Sequence, residues 1–144
     1  MKSYRLTIKG WTGGLNEMLN GVRFDWKSKR VVNPIKHRYE KKILDALRFQ
    51  ATELKGVVLD KPIVIHYLFF CPDRRHDRMN VGSAFDKAFC DALQKGGYLK
   101  NDGWNDILGC SFDYGLSADN PRVEIVIEEA DQVPVFWEKW KEYL

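Results

Sequence analysis

Apolar and polar residues alternate at the start of the chain: Tyr4, Leu6 and Ile8 interleave with Arg5, Thr7 and Lys9, and Gly10 follows. That two-residue period predicts a strand with one buried face. From Trp11 to Val32 the period dissolves among glycines and mixed polarity, which predicts a long loop with a short strand or turn inside it, a length that suits binding. Asn33 and Pro34 then form an N-cap and first-turn pair, after which Ile35, Tyr39, Ile43, Ala46, Leu47 and Leu54 share one helical stripe closed by Lys55 and Gly56. The run "KPIVIHYLFFCP" is apolar almost throughout and predicts a strand central in its sheet. A second amphipathic helix is predicted over "SAFDKAFCDALQKGG", with Phe85, Ala88, Phe89, Ala92 and Leu93 on one face and Gly96 and Gly97 ending it. A turn at Asn101, Asp102 and Gly103 leads to a strand around Ile107 to Tyr114, and Val123, Ile125 and Ile127 mark another. The tail "VPVFWEKWKEYL" predicts a short terminal helix whose Phe136, Trp137 and Trp140 dock on the core or on a second subunit, the core being the favoured reading.

This order predicts an α+β fold, a single domain over residues 1–144 with two main helices packed against one mixed β-sheet. The 144 residues, 44% hydrophobic, suffice for one core. Composition then narrows the setting. Cys71, Cys90 and Cys110 are odd in number and widely spaced, without a CxxC pair, which fits a reducing cytoplasm. The N-terminus has no apolar leader, and the longest apolar run is interrupted by His66 and far short of a membrane span. His66 has no second histidine or cysteine at ligand spacing and reads as a hydrogen-bonded histidine of the strand.

Charge changes the picture once it is located. Lys27 to Lys42 carries seven Lys or Arg against Glu40 alone, a net +6 in a chain whose total is +3, so the remainder sums to −3. At 100° per residue Arg38, Lys41 and Lys42 project opposite the apolar stripe of the first helix. Together with Lys27, Lys29 and Arg30 they are candidate contacts for a polyanion such as DNA; the alternative is a solvated face.

The stretch "RRHDRMN" mixes three arginines with an acid directly behind the central strand. Asp77 lies there, ahead of the second helix, and Asp102 lies in the turn beyond that helix. Carboxylates on loops flanking a helix are a common way to assemble oxygen-ligand sites for Mg²⁺ or Mn²⁺. Arg74, Arg75 and Arg78 would then hold phosphates; the alternative is a turn in which Asp77 pairs with Arg74 or Arg78.

The ordered combination of Asn16, "CPDRR", Asp77 with Asn80, Lys87 ahead of "DAL" and Asp102 resembles the RusA-like Holliday junction resolvases of phages and prophages, over most of the chain. The resemblance implies a homodimeric α+β endodeoxyribonuclease that uses a divalent metal to hydrolyse phosphodiesters at four-way or otherwise branched DNA. It implies Asp77 and Asp102 as metal ligands, with Asp86 a candidate third ligand, Lys87 as a catalytic cation, and Asn16, Asn80, Arg74, Arg75 and Arg78 as DNA contacts. Three departures stand out: Met79 replaces the familiar second aspartate, Asn101 precedes Asp102 where two acids are usual, and Asn80 to Lys87 is longer by about one helical turn. That extra turn brings Asp86 beside Lys87.

Several positions keep two readings. Ser83 to Asp86 has the S-x-x-D form of a capping box, so Asp86 is either a helix cap or a metal ligand. Lys87 either stabilises transition-state charge or pairs with Asp91 one turn on, and Asp91 reads as structural. The alternatives to a nuclease are a catalytically impaired junction-binding protein and a non-enzymatic interaction protein that uses the aromatic tail.

Overall fold

The computed structural model describes residues 2–9, 23–75, 77–130 and Glu142. Gly10, Asn16 and most of the long early loop lie outside these residues, as does the tail expected to dock Phe136, Trp137 and Trp140. The described elements run β1 (Ser3–Lys9), β2 (Arg23–Asp25), β3 (Arg30–Val32), α1 (Pro34–Gln50), a 3₁₀ turn (Thr52–Leu54), β4 (Ile63–Cys71), α2 (Arg78–Lys95), β5 (Ile107–Leu116) and β6 (Arg122–Glu129). β2 and β3 form a separate antiparallel hairpin, so the short strand expected inside the early loop is one arm of a pair.

The main sheet has the order β1-β6-β4-β5, with β4 parallel to β5 and antiparallel to β6. The α+β class and the mixed sheet are as the sequence predicts, and β4 is an internal strand. Alternation sets the faces: Tyr4, Leu6 and Ile8 oppose Ile127, Ile125 and Val123 across β1 and β6, and all six are buried. The same face of β4 contributes Ile63, Ile65, Tyr67 and Phe69. Onto it pack Ile43 and Leu47 of α1 and Phe85, Phe89 and Leu93 of α2, all fully buried. Each such side chain contributes roughly 1.5–3 kcal/mol by leaving water. The opposite face of β4 is more open than its apolar sequence implies. Leu68 is exposed there, and His66 is half-exposed, hydrogen-bonded to Ser111 (2.6 Å) and Glu128 (3.2 Å).

Two helix boundaries differ from expectation. α1 stops at Gln50 instead of running to Lys55, and the chain tightens into the 3₁₀ turn that still buries Leu54. At that point the Gln50 side chain leaves the helix direction and bonds both backbone groups of Thr7, accepting from its N–H and donating to its C=O, each at 2.7 Å. α2 begins at Arg78, five residues before Ser83, because the Asp77 carboxylate accepts from the Asn80 N–H at 3.1 Å and caps the helix there. Ser83 and Asp86 are therefore interior helix residues, and the capping-box reading of Asp86 is corrected.

Where α2 crosses β5 a glycine is required by space. A Cβ on Gly82 would lie 2.5 Å from the Tyr114 hydroxyl and 3.0 Å from Phe112, so its absence lets the helix seat against the sheet edge. No helix among the described residues is long and apolar enough to cross a membrane.

Candidate functional site

β4, α2 and β5 form a parallel strand pair joined through a helix, and this connection decides where the loops go. The helix leaves the C-terminal end of β4 and returns to the N-terminal end of β5. Loops flanking it in sequence thus lie at opposite ends of the sheet. α2 has 18 residues, about 27 Å of helix.

Asp77 sits at one end, exposed, lining a depression with Asp73, Arg74, Arg78 and Tyr114. Its carboxylate serves the helix N-terminus. The ion pair in this loop joins Arg75 to Asp73 at 3.8 Å, and Arg78 lies 5.9 Å from the Tyr114 ring centre. The local pairing of Asp77 with Arg74 or Arg78 is thus replaced by a backbone cap. Asn80 gives that cap its amide, while Met79 beside it points largely into solvent.

Asp86 is nine residues farther on, about 13 Å along the helix axis. It faces a different cleft of about 640 Å³, lined also by Lys87, Cys90, Asp102, Trp104, Cys110 and Phe112. Asp86, Lys87 and Asp102 therefore share one cleft, and Asp77 does not join them within one chain. The expectation that Asp77 and Asp102 meet is corrected by the parallel crossover, which sets their loops at opposite ends of the sheet.

Three elements build the surroundings of Asp86. The Tyr67 hydroxyl, from the middle of β4, donates to Asp86 Oδ1 at 2.6 Å. Cys90, one helical turn beyond Asp86, and Cys110 of β5 place their thiols 3.5 Å from the same oxygen. Tyr67 is fully buried among Phe69, Phe85, Phe89 and Phe112, whose rings hold it at centroid distances of 5.3–5.7 Å. A buried hydroxyl needs a partner, and Asp86 supplies it. Burial, then the Asp86 charge, push the Tyr67 hydroxyl well above its ordinary value, and the same causes raise the Cys90 thiol and take Cys110 to about 12. All three remain protonated donors at neutral pH, and their protons converge on Oδ1.

Lys87 is exposed and lies 3.5 Å from Asp91, the salt bridge anticipated as its structural alternative. Asp91 is bound more closely by Lys36 of α1, at 2.5 Å. Partial burial alone would raise the Asp91 carboxyl, but the Lys36 hydrogen bond and the charges of Lys36 and Lys87 hold it below the usual carboxylate value. Lys36 also lies 3.6 Å from Glu40, which is buried and bonded to Lys95 at 2.6 Å. This network ties α1 to α2 and turns Lys36 inward. Arg38, Lys41 and Lys42 remain on the exposed side of α1, and Lys27, Lys29 and Arg30 are exposed on the β2–β3 hairpin.

Asp86 and Asp102 are the carboxylates lining the cleft that could hold a hard divalent cation. Mg²⁺ is commonly held by one or two carboxylates with water and substrate phosphate completing its shell. Among the described residues no three His, Cys, Asp or Glu side chains converge as a metal-binding group. The carboxylates alone would carry the protein's share.

Sequence reasoning missed Tyr67, Cys90, Cys110 and Trp104. A signal existed for two of them: Tyr67 places a polar tip inside an apolar strand, and Cys90 follows Asp86 by four residues. Cys110 and Trp104 arrive from another element, which only the fold reveals. No protein-family model matches the chain, and no curated protein matches it.

Proposed function

We propose that the chain is a metal-dependent endodeoxyribonuclease acting on branched DNA, with its chemistry in the cleft of Asp86, Lys87 and Asp102. The observation that carries this reading is that two carboxylates and a lysine line one cleft. Asp86 and Asp102 would hold a divalent cation, which would supply water activation and neutralise charge on the cleaved phosphate. Tyr67, Cys90 and Cys110 hold Asp86 Oδ1 and so fix the carboxylate's orientation. Lys87 offers positive charge to the phosphorane-like transition state. Arg74, Arg75 and Arg78 hold phosphates beyond the cleft, and Arg38, Lys41 and Lys42 add a basic helix face. A homodimer matches a two-fold four-way junction that needs two symmetric cuts, and a reducing cytoplasm suits three free thiols.

Incubation with a synthetic four-way junction should give paired nicks with Mg²⁺ or Mn²⁺ and none in chelator. Sedimentation should give a dimer. The exposed Met79 in place of the usual acid and the sparse two-carboxylate set favour a second reading, a junction-binding protein without catalysis. A retarded junction complex that no metal converts to nicked product would establish that reading instead. Failure to bind the junction would remove both.

A further inference from the structure

The β2–β3 hairpin exposes more aromatic surface than a solvated turn needs. Trp26 is 82% exposed, and Phe24 is 46% exposed, with its ring edge-on to the indole at 4.8 Å. Val31 extends the apolar surface at 70% exposure. Cations surround these rings: Lys27 and Lys29 in the same turn and Arg30 at the start of β3, all exposed. The turn is held in shape. Asp25 accepts from the Lys27 N–H at 3.3 Å and from the Ser28 hydroxyl at 2.7 Å, and Lys29 closes the reversal at φ 56°. A bare indole supported by a second ring, flanked by cations and carried on an ordered turn, is the combination that binds unpaired nucleobases, because the ring stacks on the base while the cations meet its phosphates.

We infer that the hairpin is a stacking platform for an unpaired base of a nucleic acid, Trp26 taking the base face and Lys27, Lys29 and Arg30 the adjoining phosphates. The charge around the rings decides for a polyanion over an apolar protein partner. A paired duplex offers base edges, not faces, so the platform distinguishes single strands and branch points from continuous duplex. It works without metal or cleavage.

The test is anisotropy of fluorescein-labelled DNA in chelator, comparing a single strand, a junction with an unpaired base at its branch and a blunt duplex. Trp26→Ala should weaken binding to the first two roughly tenfold and leave duplex binding unchanged, and Trp26→Phe should restore most of the loss. Replacing Lys27, Lys29 and Arg30 with Ala should weaken all three and flatten the dependence on salt. Far-UV circular dichroism and unfolding temperature should not move, since Trp26 is outside the core. Unchanged single-strand affinity in Trp26→Ala would overturn the inference. So would a shift from dimer to monomer with DNA affinity intact, which would make the hairpin a protein interface. Neither outcome touches the nuclease reading, which fails only if the metal-supplemented chain leaves the junction uncut.

Discussion

Asp77 and Asp86 lie on the same helix nine residues apart, yet they are made by different physics. Asp77 is a local product: its carboxylate caps the first turn of α2, and the residues needed to form that bond all lie within three positions. Asp86 is a product of the fold, its Oδ1 held by a hydroxyl from β4, a thiol from α2 and a thiol from β5. Asp77 gives one carboxylate oxygen to its own helix and lines a different depression. Three donors fix the orientation of Asp86, and it is Asp86 that lines the cleft with Asp102.

The most direct way to break this contrast is to neutralise each acid in turn. Asp86→Asn and Asp102→Asn should each lower junction cleavage by about two orders of magnitude or more while junction binding stays, whereas Asp77→Asn should leave cleavage within a few-fold. Equal loss in all three, measured as single-turnover rates, would restore Asp77 to the chemistry. Tyr67→Phe sharpens the point with a smaller effect. Deleting the hydroxyl keeps the ring packing and removes one donor from Asp86, so cleavage should fall about tenfold, with roughly 1 kcal/mol of stability lost. An unchanged rate in Tyr67→Phe would show that Asp86 needs no bracing.

At the other end of the helix the consequence is thermodynamic. Asp77→Ala should cost about 1 kcal/mol in urea unfolding and Asp77→Asn a few tenths at most, since Asn caps a helix as well as Asp. A cost of the same size for both would mean that the charge, not the cap, matters there. The smallest effect concerns Asp91. Its carboxyl is held below the ordinary value, so its contribution is fully present above about pH 3.9 and is lost as pH falls through the lowered folded value. Asp91→Asn should flatten the acid limb of stability against pH and change neutral stability modestly, as expected for a partly exposed pair. An acid limb identical to that of the parent would assign it to other carboxylates.

The elements were legible because each has one clear period. β1 and β6 alternate cleanly, α1 and α2 carry single apolar stripes, and β4 is nearly continuous. Boundaries were less so. Ser83 imitates a cap in sequence, but Asp77 caps first, and helix formation from Asp77 makes the later signal redundant. The candidate site was half legible. Asp86, Lys87 and Asp102 were identified as residues, while their separation from Asp77 depends on a parallel crossover that sends neighbouring loops to opposite ends of a sheet. Periodicity records which face a side chain occupies and carries nothing about which end of the sheet a loop reaches. Tyr67 shows the same limit, for its burial follows from the strand pattern and its partner does not.

The Gln50 side chain on Thr7 has a consequence for how copies of the chain can add to one another. With both its N–H and C=O pointed at a backbone position, a primary amide is a strand one residue long, and it occupies β1 where an incoming strand would begin to zip. Among the described residues nothing comparable covers the outer edge of β5. β5 is thus, among the described residues, the sheet edge that an added strand would meet without such a side chain. Two copies meeting through β5 would finish as a closed pair, with the Gln50 amides at the two far ends, where a sheet open on both sides would grow into a ribbon.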